Sequence, residues 1–523
     1  MESVYTIKKV EFKIGDTEYD VSAVSLQLNM NSIPSCEVCI APSNSNGDIR
    51  INSLDLISLK SAYETLCKEA NALRESSLSI EIEISTTGGT GSERKEQYLK
   101  LNKWLLGGCG LFNISTTNTF SITCQLYHPA YRLTLLDGLF VNTASTLNID
   151  KYVDTIKNPV DAALKAIDVL EDANKQKIST LFDRSISSVI STPLKDPNEV
   201  SNELTNALKV AKDFVNTYLE WDPKFSGGNL DIPCESTLSS ERHKFGVKYA
   251  LTQSWVEQLG GSCTLWDSLI KMICPWFMLN VIPTYTSDKL LVAPTMPWPK
   301  IDSSIYGEDV YGLDMPGFDT NPVFGAVMLL GGGETETPTT GFTFATEAST
   351  NTGIRPINIA YVPAEADMSL GSLIHCGDPP WLSLAAEKAA SKTEIGTSGY
   401  TFSDTESDET PPSIDNEDMK VWNSVRMLYL ANAFMSYYKE SIDAQLNCRL
   451  LLSTEKGEPI IPGLRMVFDS KGPLFSGLVT SVYHSIDCVT SKASTAISMS
   501  FCDTNNNTPF LLGANPKIPF YNS

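Results

Sequence analysis

The chain has 523 residues, 42% hydrophobic and 20% charged, which is ordinary for a soluble globular protein long enough for about two to four domains. No apolar run reaches the roughly 18 residues that a transmembrane helix needs, and the opening MESVYTIKKVEFKIGD lacks the apolar segment of a secretory signal, so we expect neither. The formal net charge of -22 disfavours a protein that grips the phosphates of nucleic acid. It suits a channel that nucleic acid slides through without sticking, or a surface that is simply soluble.

The first 145 residues have the alternating pattern of β-strands. The clearest case is LSIEIEIS, in which we expect the three isoleucines to be buried and the two glutamates, Glu81 and Glu83, to be exposed. A helix is predicted across 56–75, and a hairpin is predicted from KWLLGGCGLFNIS and TFSITCQLYHPAYRL. Residues 1–145 are therefore predicted to form a tube-type β-barrel that carries one helix.

The middle of the chain is predicted to contain more helix. Residues 146–235 are predicted to be a helical insertion, with one helix near 200–220. Residues 236–300 predict an α/β module, in which Thr264 caps a helix (LWDSLIKMIC). A buried strand (WFMLNVIP), a turn (TSDK) and a second strand (LLVAP) follow this helix.

Residues 301–523 are predicted to form a second tube-like β-barrel. This region includes a polar, acidic loop at 394–418 that contains two prolines, followed by a long helix at 417–440. It ends in β-hairpins. The predicted fold class is therefore β-rich α+β, with two tube-like β-barrel domains, helical insertions and an intervening α/β module.

A weak internal repeat links the two ends of the chain. LLGGCGLFNIS with TFSITCQL, and LFSGLVTSVYHSI with STAISMSF, each place a glycine at the start of a strand before a return strand that alternates Ser or Thr with apolar residues. Alternation of this kind is common in any sheet, so the pattern favours chance similarity. If the repeat is real, the chain carries two related barrels.

The twelve cysteines are scattered, mostly within apolar patterns, which predicts buried free thiols in a reducing cytoplasm. Cys36 and Cys39 match a CxxC motif. On a strand, however, residues three apart face opposite sides, and no second CxxC completes a zinc site. These two thiols are therefore not expected to converge.

The four histidines lack metal-binding spacing. His375, Cys376 and Asp378 are the best local cluster for chemistry, but neighbouring side chains diverge. His484 lies on the strand face of apolar residues and is expected to be a structural histidine that is hydrogen-bonded once. The glycine run LLGGGETETP lacks the Lys-Ser/Thr of a phosphate-binding loop, and no GxSxG occurs. The sequence therefore predicts no catalytic, cofactor-binding or metal site.

The C-terminal pattern resembles the closing segment of tail-hub proteins from phage tails and related contractile injection machines. The matching stretches are IPGLRMVFDS, FSGLVTSVYHSID and ASTAISMSFC. The matching positions are Pro462 and Gly463, then Gly477, Val479, Val482 and His484, then Ser494, Thr495 and Ser498. The preceding helix, YLANAFMSYYKES, is also similar to one that the family places before this unit.

Two other regions agree with the resemblance. YDVSAVSLQLNMNSIPSCEVCIAP looks like the opening hairpin of a tube-type barrel, and FSITCQLYHPAYRL is similar to its closing strand. SWVEQLGGSCTLWDSLIKMICPWFMLNVIP resembles the helix–strand module that these hubs carry between their barrels. The helical region 150–225 and the loop 394–418 have no counterpart in the family pattern.

The resemblance implies a non-enzymatic virion protein of the tail baseplate, made in the host cytoplasm and without cofactors. Such hubs form a homotrimeric ring that joins the six-fold tail tube to the three-fold central spike and lines the DNA channel. The implied partners are the tail tube protein, the central spike protein and baseplate wedge proteins. Genomic DNA passes without specific binding, and no direct membrane insertion is expected. The alternatives are a single-ring tail tube or adaptor protein and, from another class, a tail-associated cell-wall hydrolase.

Overall fold

The computed structural model describes residues 2–40, 56–87, 93–114, 119–135, 160, 164, 167–168, 197–222, 248–251, 264–267, 279–294, 301–307, 309–314, 324–330, 340–344, 358–363, 382–385, 442–454, 457–470 and 473–503. The predicted loop 394–418, the predicted helix 417–440 and the cluster at His375 lie outside these residues.

Strands dominate the described residues and helices are few among them, which confirms that the fold class is β-rich as predicted. The strands are β1 (Glu2–Ile14), β2 (Thr17–Tyr19), β3 (Val21–Asn29), β4 (Ser35–Ile40), β5 (Glu75–Thr87), β6 (Glu93–Ile114), β7 (Thr119–Tyr127), β8 (Leu219–Trp221), β9 (Lys248–Leu251), β10 (Leu279–Ile282), β11 (Leu290–Pro294), β12 (Ile301–Tyr306), β13 (Val310–Asp314), β14 (Phe324–Leu330), β15 (Thr340–Phe344), β16 (Asn358–Pro363), β17 (Leu382–Ala385), β18 (Ile442–Arg449), β19 (Arg465–Asp469), β20 (Pro473–Asp487) and β21 (Lys492–Asp503). The helices are α1 (Leu56–Asn71), a 3-10 helix (Pro129–Thr134), α2 (Pro197–Tyr218) and the short α3 (Leu265–Asp267).

One 13-stranded sheet joins the two ends of the chain. Its order is β13-β18-β21-β20-β3-β4-β7-β6-β5-β1-β2, and the parallel pair β12 and β19 attaches beside β20. The smaller sheets among the described residues are β10-β11-β8, β15-β14-β16 and β17-β9. The described strand order has two separate ends, so the closure of either unit into a barrel stays a prediction.

The predicted alternation positions the core. In β3, Val24, Leu26 and Leu28 are buried, and β4 continues the same pattern next to it. The buried apolar cluster extends from these strands into β18, β20 and β21, so the N-terminal and C-terminal strands pack around shared apolar side chains. Burial of this kind is the main favourable contribution to the free energy of folding.

The described helices agree with their predicted positions. In α1, Leu66 and Ala70 are buried where the helix packs on β6. In α2, Leu208, Ala211 and Val215 form one buried face. None of the described helices combines the length and apolarity that crossing a membrane requires.

The α/β module has the predicted cap, turn and two strands. The Thr264 hydroxyl accepts a hydrogen bond from Asp267 N–H at 3.1 Å, as expected for a residue that caps a helix N-terminus. β10 and β11 pair antiparallel across the turn at 286–289. β11 also pairs in parallel with β8, so this sheet takes strands from both sides of the predicted boundary at 235–236.

Two predicted orientations are wrong. Glu83, expected to be exposed, is only 9% exposed, because the Lys8 ammonium lies against its carboxylate. The predicted face of His484 included Thr480, but the register of β20 shifts between Val479 and Ser481. Val479 therefore faces the core in place of Thr480.

Candidate functional site: a junction between the two ends of the chain

The most distinctive feature of the described residues is the junction between N-terminal and C-terminal strands. The first part of β20 pairs with β19 up to Leu478, and the second part pairs with β3 from Ser481. The register shift at Val479–Ser481 separates the two parts, and the Thr480 carbonyl oxygen accepts from Met30 N–H at 3.0 Å. β20 therefore pairs with one strand from each end of the chain.

A second connection surrounds the segment Leu450–Leu452, which follows β18. The hydroxyl of Tyr5 accepts from Leu450 N–H at 3.2 Å. The amide of Gln97 donates to the Leu450 carbonyl oxygen at 3.3 Å and accepts from Leu452 N–H at 2.8 Å. Both side chains come from the N-terminal strands, β1 and β6, so they bind a C-terminal backbone segment across the junction.

Two further side chains complete these contacts. Thr495 of β21 accepts from Leu451 N–H at 2.9 Å. Tyr285, in the turn region of the α/β module, donates its hydroxyl to the Leu452 carbonyl oxygen at 2.8 Å. We call Tyr5, Gln97, Tyr285 and Thr495 the clamp. Since buried backbone polar groups are costly when unpaired, the clamp fixes where this segment lies.

His484 contacts two residues of the clamp, Thr495 and Tyr285. Its Nδ1 is 2.9 Å from Thr495 Oγ1, and its ring packs edge-on against Tyr285. Its Nε2 is buried without a hydrogen-bond partner among the described residues. Burial lowers the pKa of His484 to about 3, so the ring is neutral near pH 7. The predicted single hydrogen bond among apolar neighbours is confirmed.

A largely buried ion pair lies next to residues of the clamp. The Arg449 guanidinium contacts the Asp309 carboxylate, and Arg449 N–H donates to the Asp309 carbonyl oxygen at 2.8 Å. Two cavities of about 500 and 450 Å³ flank this pair and share both residues in their walls. Gln97 lines the first cavity and Tyr5 the second. The cavities therefore lie where the two ends of the chain meet.

The α/β module attaches to the N-terminal strands through Asn31 and His128. Asn31 Nδ2 donates to Asn280 Oδ1 at 2.8 Å, and Asn31 Oδ1 accepts from Val281 N–H at 2.8 Å. His128 accepts from Ala130 N–H at Nδ1, and its Nε2 is 2.7 Å from the Ser287 carbonyl oxygen. These contacts require a neutral ring with its proton on Nε2. Burial lowers the pKa of His128 to about 4.

The cysteines follow the geometric prediction. In β4, Cys36 is buried in the core, whereas Cys39 faces the other side and lies 3.7 Å from Thr123 Oγ1. The eight cysteines that the structure describes are all free thiols. Within the described ranges, no three His, Cys, Asp or Glu side chains come together so that they could hold a metal ion.

The clamp itself was not predicted. The signal was present at Gln97, a polar residue in line with the buried Leu99 and Leu101 of β6. A polar side chain at a core position of a strand indicates a specific buried partner. The partner could not be identified from the sequence, because it lies more than 350 residues away.

Neither a protein-family model nor a curated protein matches the sequence. Solved structures show similarity over nearly the full chain. The tail protein from Neisseria meningitidis MC58 has a TM-score of 0.42 and 9% identity, covering 95% of this chain and 96% of its own. The 43 kDa tail protein of prophage MuSo2 from Shewanella oneidensis has a TM-score of 0.41 and 7% sequence identity, and the match covers 94% of this chain and 97% of that protein. The prophage tail protein gp18 from Listeria monocytogenes EGD-e has a TM-score of 0.38 and 10% sequence identity, and the match covers 96% of each chain.

Proposed function

We propose that this chain is a structural, non-enzymatic protein of a phage-type tail: a baseplate hub. Three copies form a ring that joins a six-fold tail tube to a three-fold central spike, with baseplate wedge proteins outside. The observation that carries the proposal is the junction, where two groups of strands in one chain join side by side in one sheet through β20.

The two hairpins of the weak sequence repeat support this proposal. The hairpin β6–β7 has its register shift at Gly107, and the hairpin β20–β21 has one at Gly477. In both, a Cβ atom at the glycine would come within 3 Å of a return-strand side chain. Two related units in one chain would give a three-fold ring six similar positions.

The charge supports the channel in this proposal. A net charge of -22 repels the phosphate backbone, so DNA passes an acidic wall without being held. A strongly basic channel wall in the assembled ring would contradict this part of the proposal.

The mass of the purified protein in solution tests the assembly. Analytical ultracentrifugation across a range of concentrations should detect a species of three times the 57.3 kDa chain mass. Electron microscopy of the same sample should show a ring with an axial channel. A hexamer would favour the tail tube or adaptor alternative instead, and a monomer at every concentration would contradict self-assembly into a ring.

A peptidoglycan turnover assay on the same protein tests the non-enzymatic part. We expect no turnover. Activity that is lost in the His375→Ala variant would replace the hub proposal with the cell-wall hydrolase alternative.

A further inference from the structure

We propose that Cys109 and Cys124 are a redox modification site, at which a small disulfide reagent closes a reversible disulfide between β6 and β7. The two residues are direct partners in the antiparallel register, and their sulfur atoms are 4.0 Å apart. The inference does not depend on the proposed function.

The geometry of the strands permits the bond. Directly opposed residues in antiparallel strands have Cα atoms about 4.5–5.5 Å apart, within the range that disulfides span. Rotation of the side chains then brings the sulfurs together. Cys109 lies between Gly108 and Gly110, whose flexible backbone permits the small adjustment that closure needs.

The environment makes Cys109 the attacking thiol. Cys109 is partly accessible, whereas Cys124, opposite it on β7, is fully buried. The hydrogen bond from Cys124 lowers the pKa of Cys109, and the same bond together with burial raises the pKa of Cys124. The thiolate is the reactive form of cysteine, so the more accessible residue is also the more readily ionised one.

The reaction is a thiol–disulfide exchange. The Cys109 thiolate attacks one sulfur of the reagent, whose S–S bond breaks and releases one thiolate that takes up a proton. The Cys124 sulfur then attacks Cys109 Sγ, which forms the protein disulfide and releases the second reagent thiolate, and this thiolate takes up the Cys124 proton. The protein loses two electrons and the reagent gains them. In a reducing cytoplasm the two residues remain thiols.

A neutral reagent is the appropriate probe, because the net charge of -22 repels anionic disulfides such as oxidised glutathione. The full chain is treated with 2-hydroxyethyl disulfide, unfolded in urea and titrated for free thiols. We expect the count to fall from the twelve of the sequence to ten, and to return to twelve after reduction.

Peptide mapping identifies the bond. Trypsin leaves both cysteines in one peptide, 104–132, because no Lys or Arg lies between them. Further cleavage by chymotrypsin after Phe112 and Phe120 separates the cysteines, so two pieces that stay joined until reduction identify the predicted disulfide. The Cys39→Ser and Cys67→Ser variants serve as controls, since Cys39 of β4 and Cys67 of α1 are the two other thiols that act on Cys124. Each control should still lose two thiols, whereas Cys109→Ala and Cys124→Ala should not form the joined peptide pair.

Three results would overturn the proposal: twelve thiols after treatment, a reagent adduct that persists on Cys109, or a bond that includes Cys39 or Cys67. Mapping of the wild-type chain gives this decision even where a variant fails to fold. Thermal unfolding provides an independent readout, because a closed disulfide restricts the unfolded chain and should raise the midpoint.

Discussion

The hairpins β6–β7 and β20–β21 share a glycine at a register shift, but they cross the junction in different ways. β20 crosses by backbone, since its second part is a regular ladder partner of β3. β6 crosses by a side chain, since Gln97 binds the backbone of Leu450 and Leu452. A backbone ladder tolerates most side chains, whereas the contact made by Gln97 depends on its side-chain amide.

The glycines differ as well. A Cβ atom on Gly477 would lie 2.7 Å from Cys502 Sγ and 3.2 Å from the Ser500 carbonyl oxygen, both inside the packed sheet. A Cβ atom on Gly107 would lie 2.4 Å from the ring of Tyr127, which is partly exposed. The surroundings of the glycine are therefore rigid in β20–β21, whereas in β6–β7 a side chain can move away from it. The expected effects on stability decrease in the order Gln97, Gly477, the two buried histidines and Gly107.

The largest effect is expected for Gln97→Leu. The change leaves the Leu450 carbonyl oxygen and the Leu452 N–H buried without this partner, which lowers the free energy of unfolding by about 2–4 kcal/mol. Urea unfolding followed by fluorescence measures it. Gln27→Leu is the matched control, since Gln27 lies within the β3–β20 ladder with its side chain exposed, and its effect should stay within about 0.5 kcal/mol. Equal losses in the two variants would show that the clamp is not specific.

Gly477→Ala should come next, with a loss of roughly 2–3 kcal/mol, because the new methyl group meets the Cys502 sulfur most closely and also a backbone oxygen that cannot rotate away. The double variant Gly477→Ala with Cys502→Ala removes the closest clash. It should therefore be less destabilised than the sum of the two single variants. Strict additivity in this double-mutant cycle would rule out the contact with the Cys502 sulfur as a cause.

The two buried histidines predict a dependence on pH. Their folded-state pKa values of about 4 (His128) and about 3 (His484) lie below the ordinary 6.5, so only the unfolded chain takes up these protons between pH 6.5 and 4. The free energy of unfolding therefore falls as the pH is lowered. At pH 5 each histidine should contribute a loss of about 2 kcal/mol relative to pH 7.5.

His484→Asn isolates one of these contributions, because its side-chain amide can keep the contact with Thr495 but does not titrate. The variant should lose about 2 kcal/mol less than the wild type between pH 7.5 and pH 5 in matched urea titrations. An unchanged pH dependence in both this variant and His128→Gln would mean that other groups cause it.

Much of the fold could be predicted from strand alternation, which is a local property. The inward faces of β3, β4 and β5, the helix α1, and the turn between β10 and β11 all follow from residues that are close in sequence. Glu83 was misassigned because its burial depends on Lys8, which a distant strand supplies. Local patterns do not contain that information.

The junction could not be predicted for the same reason. The ladder between β3 and β20 joins residues more than 450 positions apart, for example Leu26 and His484. The shift at Val479–Ser481 also moves the predicted face by one residue, and nothing in the alternation of TSVYHSI indicates it. His484 was identified as a structural residue from its apolar neighbours, but its contacts with the clamp depend on Tyr285 and Thr495.

The smallest effect is expected for Gly107→Ala. The Tyr127 ring can turn away from the new methyl group, and the main cost is the stacked contact between Tyr127 and Tyr131, whose ring centroids are 4.3 Å apart. The free energy of unfolding should fall by about 1 kcal/mol. Gly108→Ala is the matched neighbour, because its nearest atom, Gln125 Cβ, is at an ordinary 3.9 Å, and it should have almost no effect. If Gly107→Ala lowered the free energy of unfolding as much as Gly477→Ala, both register shifts would be equally rigid. The two hairpins would then differ only in whether backbone or side-chain contacts cross the junction.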